Sequence, residues 1–230
     1  MQNLSLEPTS PDRFVAKAAT QHTNHLIQNA ARTATWVADA HVLGAVAAIV
    51  WLGSRGGGQR QRTVADHIAT TVAAAVIAPK LIKKVVNRTR PDRVVVGPDR
   101  QGVKTSGKPH DSFPSGHAVH IGALVSALSR AYPEKRWHLR AVGAVVAGTR
   151  VAVLAHWSTD VIAGLMIGIL LEKGVRHVLA FESRRRWVPS NIGESVYPAR
   201  NPNFGAIDLG RVAPPVRDGC YGRICVDWAT

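Results

Sequence analysis

Cysteine is almost missing from this chain: its 230 residues hold two, Cys220 and Cys225, both in the C-terminal tail. They cannot staple the body of the protein, and with no histidine beside them they do not suggest zinc. Acidic residues are also scarce, 15 against 29 lysines and arginines, for a formal charge of +14. That excess implies an anionic partner such as a lipid headgroup or a phosphate. Nucleic acid is not expected, because no recognition motif accompanies the charge. Residues 1–30 lack the basic start, apolar centre and small-residue cleavage site of a secretory signal. Long hydrophobic runs are missing too. No charge-free stretch reaches the roughly 18–20 residues of a spanning helix; the best is Val42–Ser54.

Apolar residues nevertheless form 46% of the chain, mainly Ala and Val, and they cluster in five segments. These are Trp36–Gly53, Val64–Ile82, Ala118–Tyr132, Leu139–Ala155 and Val161–Ala180. Each is Ala- or Leu-rich and too long for a strand, so each reads as a helix. Asp39, His41, Asp66, His67, Lys80 and Arg150 lie mostly near segment ends, where polar side chains reach a membrane interface. Trp36, Trp51, Trp137 and Trp157 stand near segment ends as interfacial tryptophans do. The expected fold is therefore all-α, a polytopic membrane bundle of about five spanning helices with a site at helix ends on one face. Its parts are a polar N-terminal segment (1–33), a membrane core (34–182) and a basic, Pro/Gly-rich tail (183–230) expected to be poorly ordered. Arg184-Arg185-Arg186 suggests contact with anionic lipid. Basic short loops mildly favour a cytoplasmic location for that face and for the tail, with the long Lys83–Gly116 loop outside.

Three short stretches carry a phosphate-handling set: Lys83 to Arg90-Pro91, then Pro114-Ser115-Gly116-His117, then Thr149-Arg150 to His156 and Asp160. Lys83, Arg90 and Arg150 can neutralise non-bridging phosphate oxygens, arginine by forked contact and lysine by point contact. Arg90 precedes Pro91, which pushes it out of helical geometry. Ser115 is a candidate helix cap, Gly116 permits close backbone approach, and the freed N–H groups form an anion cradle. His117 on the first turn can protonate a leaving oxygen. His156 and Asp160 are four apart and share a helix face, so the carboxylate can fix the imidazole tautomer for attack on phosphorus. Arg150 is six residues before His156, so the chain has to bend between them. No cysteine or acidic metal cluster accompanies the set, and neither a metal nor a cofactor is expected.

In this order and spacing, the set resembles the tripartite signature of the type 2 phosphatidic acid phosphatase superfamily, over about residues 64–171. The resemblance implies a helical, metal-independent phosphatase. His156 would be the nucleophile forming a phosphohistidine, oriented by Asp160, and His117 the general acid. Lys83, Arg90, Ser115, Gly116 and Arg150 would hold the phosphate. Thr149 departs from the family's usual serine before the arginine. Membrane members have six helices; a missing first helix would put the N-terminus on the active-site face.

The expected function is hydrolysis of a lipid phosphate or pyrophosphate at the cell membrane, with anionic lipids as surroundings. The alternatives are a soluble acid phosphatase of the same superfamily and a non-enzymatic anionic-lipid-binding membrane protein. A vanadate-dependent haloperoxidase shares the phosphate site but is typically much larger. His110 and Asp111 read as a solvated loop pair, and Asp39 with His41 and Asp66 with His67 as helix-end polar groups.

Overall fold

The computed structural model describes residues 4–22, 29–31, 33, 36–96 and 107–186. The expectations for Cys220, Cys225 and the tail beyond residue 186 fall outside that set. All five apolar segments fold as helices: α2 (Ala40–Gly53), α3 (Gln59–Ile82), α5 (Gly116–Ala131), α6 (Arg136–Ala152) and α7 (Ser158–Arg186). Before them come a two-residue strand β1 (Leu4–Ser5) and helix α1 (Ser10–His22); after α3 come β2 (Val86–Asn87) and the single turn α4 (Pro91–Val94).

Local chemistry sets the helix starts. Thr9 and Asp12 form a reciprocal capping box at α1, with Asp12 N–H to Thr9 Oγ1 at 3.4 Å and Thr9 N–H to Asp12 Oδ2 at 3.2 Å. Asp39 caps α2 by accepting from the N–H groups of His41 (2.8 Å) and Val42 (3.3 Å). Ser115 caps α5 through the Ala118 N–H.

Helix α5 lies at the centre, against α3, α6 and α7. Its contact with α7 is backbone to backbone, because glycines line the crossing. A Cβ at Gly164 would sit 2.7 Å from the Ser115 carbonyl oxygen, and one at Gly168 or Gly122 would overlap the backbone of the facing helix. This crossing sets α7 against the start of α5, where the site lies. Deeper in the bundle Glu172 is 2% exposed. Its carboxylate meets His67 Nε2 at 3.0 Å and Ser126 Oγ at 2.8 Å, so the residue that interrupts an apolar run turns inward and is satisfied.

Two expectations need correction, and the count of five spans is not confirmed. The fold is mostly helical but carries a parallel strand pair, Leu4 with Val86 and Ser5 with Asn87. Among the described residues one helix, α3, is both long and apolar enough to cross a membrane. The others fail for physical reasons: at 14, 16 and 17 residues, α2, α5 and α6 extend only about 21–26 Å against a hydrocarbon core of about 30 Å. Helix α7 is long enough but carries Glu172, Lys173 and Arg176. Finally, Trp157 is no interfacial residue. It is 1% exposed and packs with Ala16 and Leu154, and its indole N–H donates to the Thr89 carbonyl at 2.7 Å. Trp36 and Trp137 do stand exposed.

The outer faces of α2, α3, α6 and α7 are apolar, with Ile49, Leu52, Ile77, Leu81, Val145, Ile162, Met166 and Leu170 all exposed. An apolar perimeter of that extent marks an interaction surface rather than a water-facing one.

Candidate active site

The site forms where α3 ends, α5 and α7 begin, and the connection from α6 to α7 turns back. Lys83 is the C-cap of α3. Its ammonium donates to the Asp111 carbonyl at 3.2 Å and lies 3.3 Å from the Asp111 carboxylate. Burial draws its pKa down, against the opposing pull of Asp111. Arg90 has the extended backbone that a following proline imposes (φ −75°, ψ 150°). Its guanidinium donates to three carbonyls, those of Lys108 (2.9 Å), Ala155 (2.8 Å) and Asp111 (3.0 Å). Gly107, at φ +45°, lets the backbone pass close: a Cβ there would be 3.0 Å from Arg90 Nη2.

The bend between Arg150 and His156 is a Schellman-type helix end. Leu154 N–H bonds Val151 C=O at 2.9 Å and Ala155 N–H bonds Arg150 C=O at 3.0 Å, with Leu154 at φ 54° in the position glycine usually takes. A left-handed leucine costs about 1–2 kcal/mol. Burying its side chain beside Ala16 and Trp157 returns about 1.5–3 kcal/mol, enough to carry it. The turn brings His156 back toward the end of α6 that bears Arg150. The Nε of Arg150 is buried and finds no hydrogen-bond partner among the described residues.

His156 is 3% exposed. Its Nδ1 is 2.6 Å from the Ser112 carbonyl oxygen, which can only accept, so Nδ1 carries the proton and Nε2 presents a lone pair. That Nε2 lies 3.5 Å from Arg90 Nη1. Burial first, then the charges of Arg90, Arg150 and Lys83, hold the His156 pKa well below its ordinary value, against the weaker opposing effect of the Ser112 bond. The imidazole is neutral. His117, on the first turn of α5, feels the same Arg150 and Lys83 charges, and its ring centroid is 6.2 Å from that of His120. Three predicted cations thus converge on one imidazole and two of them on the other, beside two helix N-termini whose dipoles favour an anion.

A family model described as the PAP2 superfamily matches residues 66–184. The chain belongs to the PAP2 superfamily. It is 34% identical over 106 residues to a lipid A 1-phosphatase of Rhizobium etli, covering 46% of each chain. It is 31% identical over 112 residues to an undecaprenyl-diphosphatase of Sulfolobus acidocaldarius, 48% of this chain and 52% of that one. The matches thus span about half the length of these relatives. Among solved structures it is similar to Aquifex aeolicus LpxE, with a TM-score of 0.62, 14% identity, and coverage of 76% of this chain and 99% of that one. A transmembrane PAP2-type phosphatidylglycerolphosphate phosphatase from Bacillus subtilis aligns at TM-score 0.52 and 19% identity, over 76% of this chain and 86% of that one.

Within this PAP2 site one expected contact differs. Asp160 Oδ2 is 3.9 Å from His156 Nδ1, too far for the orienting bond, which the Ser112 carbonyl makes instead. Asp160 is fully buried and accepts from Ser112 Oγ (2.5 Å), the Trp157 N–H (3.0 Å) and Arg88. It therefore reaches the histidine through Ser112. The Thr149 hydroxyl donates to the Val146 carbonyl at 2.6 Å, a helix back-bond.

Four contributors were passed over in the sequence. Asp111, read as a solvated loop residue, joins Lys83 and Arg90 through its carbonyl. Ser112 stands directly after it, Arg88 reads as one more base at a helix end, and Asp12 lies far outside the signature. Only Arg88 left a signal: it stands two residues before Arg90, and in an extended stretch residues i and i+2 point to the same side.

Proposed function

We propose that this protein is an integral membrane phosphatase that hydrolyses a lipid phosphate or pyrophosphate monoester through a phosphohistidine intermediate, without a metal. One observation carries the reading: a buried neutral imidazole, with its Nδ1 proton committed to Ser112 and its Nε2 lone pair turned toward the Arg90 guanidinium, among Lys83, Arg90 and Arg150. Phosphoryl transfer asks the protein mainly for position and counter-charge, and these groups supply both. The buried Arg150 Nε without a partner is the place where a phosphate oxygen would complete the set.

In the first step His156 Nε2 attacks phosphorus while the bond to the leaving oxygen breaks, and His117 gives that oxygen its proton. Lys83, Arg90 and Arg150 hold the three peripheral oxygens, aided by the Ser115 hydroxyl and the Gly116 N–H. Water then attacks the phosphohistidine, returns a proton to His117, and the N–P bond breaks to release inorganic phosphate. A lipidic substrate is supported by the apolar outer faces and by a groove of about 470 Å³ between α2 and α3, lined by Ala40, Gly44, Ala47, Val72, Val76 and Ile77. It starts at the end of α2 that is on the site side, so a hydrocarbon chain could lie along it with the phosphate at His156.

The basic residues of the two short connections, Arg55 and Arg60 before and within α3 and Lys135 and Arg136 before and at the start of α6, stand at the far end from the site. By the positive-inside rule that end is cytoplasmic and the site faces outward.

The test is phosphate release from radiolabelled lipid phosphates by purified protein. His156→Ala is expected to lose about 10³-fold or more of the rate and to accumulate no acid-labile labelled protein. Full residual activity in that variant rejects the nucleophile. A second reading, a soluble acid phosphatase, is kept because one helix among the described residues meets the crossing criterion. Release of the protein by carbonate extraction of membranes would support it.

A further inference from the structure

Asp12 is a buried carboxylate that the phosphatase mechanism above leaves without a role. It sits on α1, outside the residues matched by the family, and its residue is 1% exposed. Its Oδ1 accepts from Ser158 Oγ (2.8 Å) and the Thr159 N–H (3.0 Å), so it caps the start of α7 from another element. Its Oδ2 accepts from Arg88 Nη2 (2.7 Å), Thr159 Oγ1 (2.8 Å) and Thr9 Oγ1 (2.9 Å). The other arm of Arg88, Nη1, donates to Thr159 Oγ1 at 2.8 Å and to Asp160. Asp160 in turn receives Ser112 Oγ, and the Ser112 carbonyl holds His156 Nδ1.

We propose that Asp12 is a positioning residue for phosphoryl transfer: through Arg88, Asp160 and Ser112 it fixes the direction in which His156 presents Nε2. The proposal rests on the phosphatase reading. One guanidinium is shared by two carboxylates, and its place between them is set by both. Remove the Asp12 charge and Arg88 is drawn wholly to Asp160, which loosens the hold of Asp160 on Ser112. A misplacement near 1 Å costs about 10²-fold in rate when reacting atoms must be aligned.

The docking of the N-terminal segment does not itself depend on this charge. β1 is held by backbone bonds, Leu4 N–H to Val85 C=O and Leu6 N–H to Asn87 C=O, each 2.9 Å. Ala16 packs against Leu154 and Trp157. An amide of the same shape at position 12 would keep these contacts and could still accept from the Thr159 N–H, while its NH₂ would oppose the donors of Arg88.

The experiment compares full-length wild type and Asp12→Asn, purified in the same detergent, using a lipid phosphate substrate and inorganic phosphate as competitive inhibitor. Asp12→Asn should lose about 10–100-fold in kcat, with KM and the inhibition constant for inorganic phosphate within about 3-fold, because Lys83, Arg90 and Arg150 are untouched. Unchanged kcat overturns the proposal. So does a parallel weakening of phosphate inhibition, which means the whole site has collapsed. If Asp12→Asn is not recovered as a monodisperse protein, Thr9→Val decides: it deletes the hydroxyl bond to the Asp12 carboxylate together with the long cap bond from the Asp12 N–H, and a kcat loss of about 3-fold with unmoved phosphate inhibition is expected. Wild-type kcat there overturns the proposal. A wild-type protein that releases no phosphate instead refutes the phosphatase reading, and this inference with it.

Discussion

His156 donates from Nδ1 to a carbonyl, and this single contact decides which nitrogen is available and which protonation state is stable. It also makes the residue a liability in acid. Its folded pKa is below the unfolded value near 6.5, so as pH falls through about 6.5 the unfolded chain takes up a proton that the folded chain refuses, and stability declines. Between about pH 8 and about pH 5 the melting temperature of the wild type should therefore fall several degrees more than that of His156→Gln, measured by thermal unfolding in one detergent. Parallel declines would show that His156 is not the neutral buried group described. Lys83, Arg90, Arg150 and both histidines were legible because their spacing is itself the chemical pattern. Asp12, Arg88 and Ser112 were not, because their partners come from tertiary proximity: Arg88 meets Asp160 across 72 positions and Asp12 meets Thr159 across 147.

Helices were legible where an apolar segment adjoins a cap or a breaker, as at Asp39, Gly56-Gly57-Gly58 and Ser115. The strands β1 and β2 were not, since two residues carry no periodicity to detect. The α5–α7 crossing is a similar case: small residues announce a close contact but not its partner. A side chain placed there has nowhere to go. Gly168→Val should cost well over the roughly 1–3 kcal/mol of ordinary overpacking, because the obstruction is backbone. The expected outcome is loss of folded protein in size-exclusion chromatography, whereas Gly148→Val, whose Cβ meets nothing within 4 Å, should elute as the wild type does. Equal behaviour of the two would remove the crossing as the determinant of how α7 meets α5.

For the molecule as a whole, the proposed lipid phosphatase activity would use the apolar perimeter and the groove between α2 and α3 to keep the substrate tail in hydrocarbon while the headgroup meets the cations. The Cβ direction at Gly44 is open, so Gly44→Trp should fill the groove without disturbing the core. Its kcat/KM is expected to fall about 10-fold for a long-chain lipid phosphate, the scale of a few lost methylene contacts, and to stay within about 2-fold for a short water-soluble phosphate ester. Equal effects on both substrates would take the groove out of the reaction. The number of membrane crossings was the part of the architecture least legible in sequence, because apolar residues specify burial in protein and in lipid alike, and only helix length separates them.

The partnership of Asp12 with Ser158 spans 146 positions. During synthesis the N-terminal carboxylate must wait for its partners on α7 until nearly the whole bundle has been made and threaded. On the proposed reading, a nascent chain stopped after α6 would hold Lys83, Arg90, His117 and Arg150 but not His156, so a working centre would arrive only with the turn into α7.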